Sequence, residues 1–147
     1  VFVSYRGRRR RGVSAAAVRR RAQRMLRALS RPEVELSIVL CDDASMRALN
    51  RRFRKIDRTT DVLAFAMGEG MRMPAVAGSP LGDVVISLPT AERQARAAGR
   101  RPIDEITMLL AHGLLHLLGL DHRSAGEERR MRARTDALVG AARGARF

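Results

Sequence analysis

Apolar residues in this chain recur with two periods, and the switch between them marks out the elements. Phe2, Val3 and Tyr5 open a short strand-like segment. From Val18 the spacing becomes helical, with Ala22, Met25, Leu26 and Leu29 on one stripe, and Ser14 stands where an N-cap belongs. Pro32 ends that helix. Val34, Leu36, Ile38 and Leu40 then alternate as a strand expected to be buried mainly on one face. Asp42 or Asp43 is placed to cap a short helix through Met46 and Leu49 to Asn50. Arg51 to Thr60 reads as a polar, basic turn, Asp61 to Ala66 as a strand, Gly68 to Pro80 as a loop, and Leu81 to Leu88 as another strand.

The second half is helical. Pro89 suits the first turn of a helix ending at Gly99, and Pro102 starts another. In that one Ile103, Ile106, Met108, Leu109, Leu110, Leu114, Leu115, Leu117 and Leu118 cover most of the circumference, which places it in the middle of a domain. Ser124 with Glu127 forms a capping-box pattern for a last helix with a modest stripe of Met131, Leu138 and Val139. This order predicts a single α+β domain over residues 1–147. It would hold a small mixed sheet of four strands packed with about five to six helices.

Composition narrows the function. At 147 residues and 46% hydrophobic, the chain can bury a core, and disorder is not expected. No apolar run approaches the roughly 18 residues of a membrane span, and no charged region followed by a long apolar core suggests a secretory signal. Cys41, the one cysteine, is expected to be a small buried residue at a strand end. These features favour a cytosolic enzyme or binding protein. The net charge of +14, carried by arginine with Lys55 the sole lysine, would draw the domain to a polyanion, RNA or DNA. A basic surface unrelated to nucleic acid is the alternative. Arg8 to Arg11 and the helix arginines Arg19, Arg20, Arg24 and Arg27 read most simply as solvated.

All three histidines fall in one stretch, HGLLHLLGLDH, from His112 to His122. His112 and His116 share a helix face, Gly119 can turn the chain left-handed, and His122 can fold back toward them. Three imidazoles with an open fourth position describe a catalytic zinc site, one zinc per chain. The spacing is that of the metzincin motif H-E-x-x-H-x-x-G-x-x-H, but Gly113 stands where the glutamate base would be. That departure argues against the usual zinc-protease mechanism.

Further motifs extend the pattern. The histidine stretch resembles the H-G-x-L-H-L-x-G-Y-D-H signature of the YbeY family of bacterial rRNA maturation endoribonucleases. LNRRFRKIDRTTDVLAFA (Leu49 to Ala66) resembles that family's LN-x-x-[YF]-R-x-x-D-x-x-TDVLSFP, and LGDVVIS (Leu81 to Ser87) resembles its LGDI-x-IS. Leu120 replaces a tyrosine, Ala64 a serine and Ala66 a proline; none is a ligand. The resemblance assigns nothing to the arginine-rich N-terminal part.

The resemblance implies a zinc-dependent, single-strand-preferring endoribonuclease acting in 16S rRNA 3′-end maturation and ribosome quality control in the bacterial cytoplasm. It also implies an α+β sandwich with a metzincin-like zinc site on the central apolar helix. The expected partners are single-stranded RNA, rRNA, the small ribosomal subunit and its assembly factors, with no membrane and no DNA. His112, His116 and His122 would be the ligands, and His112 and Arg54 the candidate catalytic residues. Three imidazoles lower the pKa of a zinc-bound water from 15.7 to about 7. Arg54, matching the arginine of [YF]-R-x-x-D, would bind the phosphate with its planar fork. Asp121 is the candidate acceptor that orients a ligating histidine, with proton transfer the other role open to it. Asp57 and Asp61 are expected to fix the turn and strand entry, although either could face the site, and Asp83 is expected to be structural. The general base stays open between metal-activated water and a substrate 2′-OH. Two other functions remain: a metallopeptidase-like hydrolase, which Gly113 weakens, and a ribosome-associated RNA-binding protein with a mainly structural zinc.

Overall fold

In the computed structural model, residues 1–8, 12–67, 80–120 and 124–144 are described. They form nine elements: β1 (Phe2–Arg6), α1 (Ala15–Ala28), β2 (Glu35–Cys41), α2 (Asp43–Arg54), β3 (Val62–Ala66), β4 (Pro80–Ser87), α3 (Leu88–Ala97), α4 (Pro102–Leu117) and α5 (Ala125–Ala142). Side-chain oxygens close four of the five helix N-termini. Ser14, Asp42, Ser87 and Ser124 accept from the backbone N–H groups of Ala17, Ser45, Thr90 and Glu127. At α4 no side chain caps; Pro102 occupies the first turn, with Asp104 and Glu105 facing the positive end of the helix dipole.

The sheet order is β1-β2-β4-β3. β1 and β4 flank β2 in parallel, and β3 runs antiparallel to β4. The mixed four-stranded sheet of the sequence reading is therefore present, with five helices among the described residues. On one face Leu36, Ile38, Leu40, Val84 and Ile86 pack with Val18, Leu26, Leu110 and Leu114 of α1 and α4. On the other, Val39, Cys41, Val85 and Phe65 meet Met46 and Leu49 of α2. Cys41 closes β2, buried, and burial first, then the charge of Asp42, pushes its thiol up to about 12.

Two expectations are corrected. β2 is buried on both faces rather than mainly one, because α2 returns across the sheet opposite α1 and α4. The short helix does not stop at Asn50. Phe53 extends its stripe of Met46, Leu49 and Asn50 by one turn and packs edge-on against Phe65, ring centroids 5.3 Å apart. The first part of the expected turn at Arg51 to Thr60 is thus helix, and Arg54 is its last residue. Of the expected loop from Gly68 to Pro80, all but the first residue of β4 lies outside the described residues. Among the described residues no helix is long and apolar enough to cross a membrane.

Candidate active site

Helix α4 lies against β3, β4 and α5, and its half-buried stripe carries the histidines. His112 and His116, one turn apart, are half-buried, with ring centroids 4.8 Å apart and planes inclined at 70°. Their Nε2 atoms are 3.2 Å apart. Zn–N bonds of about 2.0–2.1 Å would subtend roughly 100° across that gap, close to a tetrahedral angle, so the pair fits two corners of a zinc site. His122 and Asp121 lie outside the described residues. Among the described residues no group of three histidine, cysteine or carboxylate side chains forms a metal cluster.

The histidines open into a cavity of about 820 Å³. One wall is β3 with its entry, Asp61 to Ala64; another is α4, with Met108, His112 and His116; Arg54 closes the end nearest α2. The Nη2 of Arg54 donates to the carbonyl oxygen of Ala64 at 2.8 Å, and its guanidinium carbon stands 4.7 Å from the centre of the Phe65 ring. Both contacts hold the planar fork on the wall of the cavity that receives the histidines.

Gly113 explains the missing glutamate. A β-carbon there would sit 2.8 Å and 3.2 Å from the two methyls of Val84 and 3.4 Å from a methyl of Val62. The position faces the sheet, and bare backbone is what lets α4 approach it so closely. A glutamate at 113 would be driven into the core.

The aspartates divide as follows. Asp61 does both things left open for it: it lines the cavity, while its Oδ1 accepts from the N–H of Val62 at 2.7 Å and its Oδ2 from Gln94 at 3.2 Å. Asp57 is exposed outside the cavity, bound to Arg47 through both carboxylate oxygens at 2.9 and 3.2 Å, and that hydrogen bonding lowers its pKa. It fixes the turn. Asp83 is buried on the sheet face away from the histidines, where desolvation raises its pKa.

Two features escaped the sequence reading. The first is α5, which supplies a whole wall through Glu128, Met131, Arg132, Thr135 and Asp136. The signal was available: residues 128, 132 and 136 repeat every four positions, a polar stripe beside the buried one of Met131, Thr135 and Leu138. The second is the role of Asp43, which the sequence offered with Asp42 as a helix cap; Asp42 is the cap, and Asp43 is the first residue of α2. Its Oδ1 accepts from Ser87 at 2.6 Å, Thr90 at 2.7 Å and Thr59 at 3.2 Å, and its Oδ2 from Arg93 at 2.9 Å. Burial alone would raise its pKa; the hydrogen bonds from Ser87, Thr90 and Arg93 outweigh burial and hold it at about 2. This hub ties the start of α2, the end of β4 and α3 to the segment entering β3.

A family model described as "Endoribonuclease YbeY" matches residues 6–142, from the end of β1 to the last residue of α5. The chain belongs to the YbeY family. The matched range contains Arg54, His112, His116, Asp121 and His122. Curated relatives named Endoribonuclease YbeY include one from Anaeromyxobacter dehalogenans (strain 2CP-C), 49% identical over 135 residues. That alignment covers 88% of this chain and 68% of the relative. One from Anaeromyxobacter sp. (strain Fw109-5) is 50% identical over 139 residues, covering 90% and 70%. One from Aquifex aeolicus (strain VF5) is 49% identical over 107 residues, covering 73% and 69%. A Thermotoga maritima protein solved in solution superposes with a TM-score of 0.65 at 22% identity, over 97% of this chain and 90% of that one. That likeness concerns the fold.

Proposed function

We propose that this YbeY-family chain is a zinc-dependent endoribonuclease, preferring single strands and acting in the bacterial cytoplasm on the 3′ end of 16S rRNA. Its partners would be the small ribosomal subunit and its assembly factors. The observation that carries the reading is the convergence of His112 and His116, Nε2 atoms 3.2 Å apart, in one cavity with Arg54. Family membership and the relatives' shared name supply the reaction class. The net charge of +14 suits an RNA substrate.

His112, His116 and His122 would hold the zinc, which supplies a water acidic enough to ionise near neutral pH and a counter-charge for a phosphoryl oxygen. The chain's own residues do the rest. Arg54, which lines the cavity with its guanidinium against Ala64 O and the Phe65 ring, would donate hydrogen bonds to the scissile phosphate. Asp61 borders the same space, its carboxylate held by Val62 N–H and Gln94. Asp121 would orient His122 or a neighbouring ligand.

The peptidase alternative loses ground at Gly113, whose direction toward Val84 keeps that position from supplying the base of the zinc-protease motif. The test pairs metal content with substrate choice. Wild type should carry one zinc per chain and cleave single-stranded RNA but not casein. His116→Ala should fold and lose zinc and cleavage together. A folded His116→Ala protein with full zinc occupancy would refute the ligand assignment, and casein cleavage would revive the peptidase reading.

A further inference from the structure

Three of the five helices end in ways that cost little. After α3, α4 and α5 the chain turns left-handed at glycines, Gly99, Gly119 and Gly144, with φ of 66°, 87° and 94°. After α1 the left-handed residue is Ser30, φ 57°. After α2 it is Lys55, φ 61°, a long side chain in a backbone region that L-residues rarely adopt. Lys55 is also the sole lysine of a chain that otherwise uses arginine for every basic position. Strain of this sort persists where the side chain has a use.

Its surroundings suggest the use. Lys55 directly follows Arg54, which lines the cavity, and it is exposed together with Arg51, Arg52 and Arg58. Among the described residues none of Arg51, Arg52, Lys55 and Arg58 has a carboxylate at ion-pair distance, and the local acid, Asp57, is taken by Arg47. These four exposed cations flank Arg54 in the chain, at and just beyond the C-terminal end of α2, and Arg54 is the one of the group that lines the cavity.

We infer that Lys55 binds a backbone phosphate of the single strand as it enters the cavity past Arg54. The inference rests on the nuclease reading. Substitution by glycine separates function from fold, because glycine relieves the left-handed strain while removing the charge. One phosphate contact on a single strand contributes a slope of about −0.7 to log K against log salt, and about fivefold in affinity at 0.1 M salt.

Binding of a fluorescein-labelled single-stranded 16-mer RNA, followed by anisotropy from low to high salt, is the experiment. Lys55→Gly should melt at or above the wild-type temperature yet bind about fivefold more weakly with the shallower slope. Lys55→Arg should retain the slope. Arg96→Gln, which removes a cation from the last turn of α3, should leave it unchanged. Wild-type affinity and slope in Lys55→Gly would overturn the proposal, and so would an equal loss in Arg96→Gln. Failure of the wild type to bind or cleave the RNA would instead bring down the nuclease reading, and this proposal with it.

Discussion

Replacing Gly113 by alanine tests whether the approach of α4 to the sheet positions the site. The new β-carbon would lie 2.8 Å from one methyl of Val84, where ordinary contact begins near 3.4 Å, so something must move by about 0.6 Å. Val84 cannot give: it is fully buried, β-branched, and paired on both sides by β2 and β3. Alanine gains about 0.8–1.0 kcal/mol over glycine in a helix interior, whereas overpacking costs roughly 1–3 kcal/mol. With three methyl contacts involved the clash should win by about 1–2 kcal/mol, lowering the melting temperature by about 2–8 °C for a domain of this size. A helix pushed away by half an ångström carries His112 with it, and sites tolerate about that much displacement before losing rate. Single-turnover RNA cleavage should fall about tenfold. Adding Val84→Ala should restore part of both losses, because the new methyl fills vacated space, giving a favourable coupling of about 1 kcal/mol. Gly113→Glu should be far less stable and show no peptidase activity. A Gly113→Ala protein that melts above wild type and cleaves normally would refute the packing argument.

What the sequence could and could not disclose follows from how far each feature reaches along the chain. Strand alternation and helix stripes are local, and so the element order and the mixed sheet were legible from them. The placement of His112 and His116 on one helix face was equally local. The second buried face of β2 was hinted at by Val39 and Cys41, but its cover, α2, comes from across the sheet. The extra turn of α2 was hidden because four cations surround Phe53, and only its contact with Phe65 shows that it continues the core. Gly113 was visible as a missing base; its cause is a tertiary approach to Val84 that no spacing encodes. The Asp43 hub draws on positions 59, 87, 90 and 93, which share no period with residue 43. The resemblance found the family from its motifs, while the wall contributed by α5 falls largely beyond them.

Two further outcomes are expected. Asp43 has a folded-state pKa of about 2, below its unfolded value of about 3.9, so it stabilises the fold above pH 4 and that contribution drains away between pH 4 and 2. Thermal melts against pH should therefore show Asp43→Ala less stable than wild type at pH 7, the two converging as pH falls through that window; a constant gap down to pH 2 would deny the carboxylate its role. For Arg54, the structure predicts two separable effects. Its hydrogen bond to Ala64 O is exposed, so Arg54→Ala should cost little stability, while loss of a preoriented phosphate donor should lower single-turnover cleavage by about 10²–10³. Arg54→Lys keeps the charge without the two-pronged geometry and should fall between. Zinc content should match wild type in both variants. Cleavage at the wild-type rate by Arg54→Ala would make it a wall residue only, and loss of zinc would make it a support of the metal site; either result would break the link drawn between the guanidinium and the phosphate.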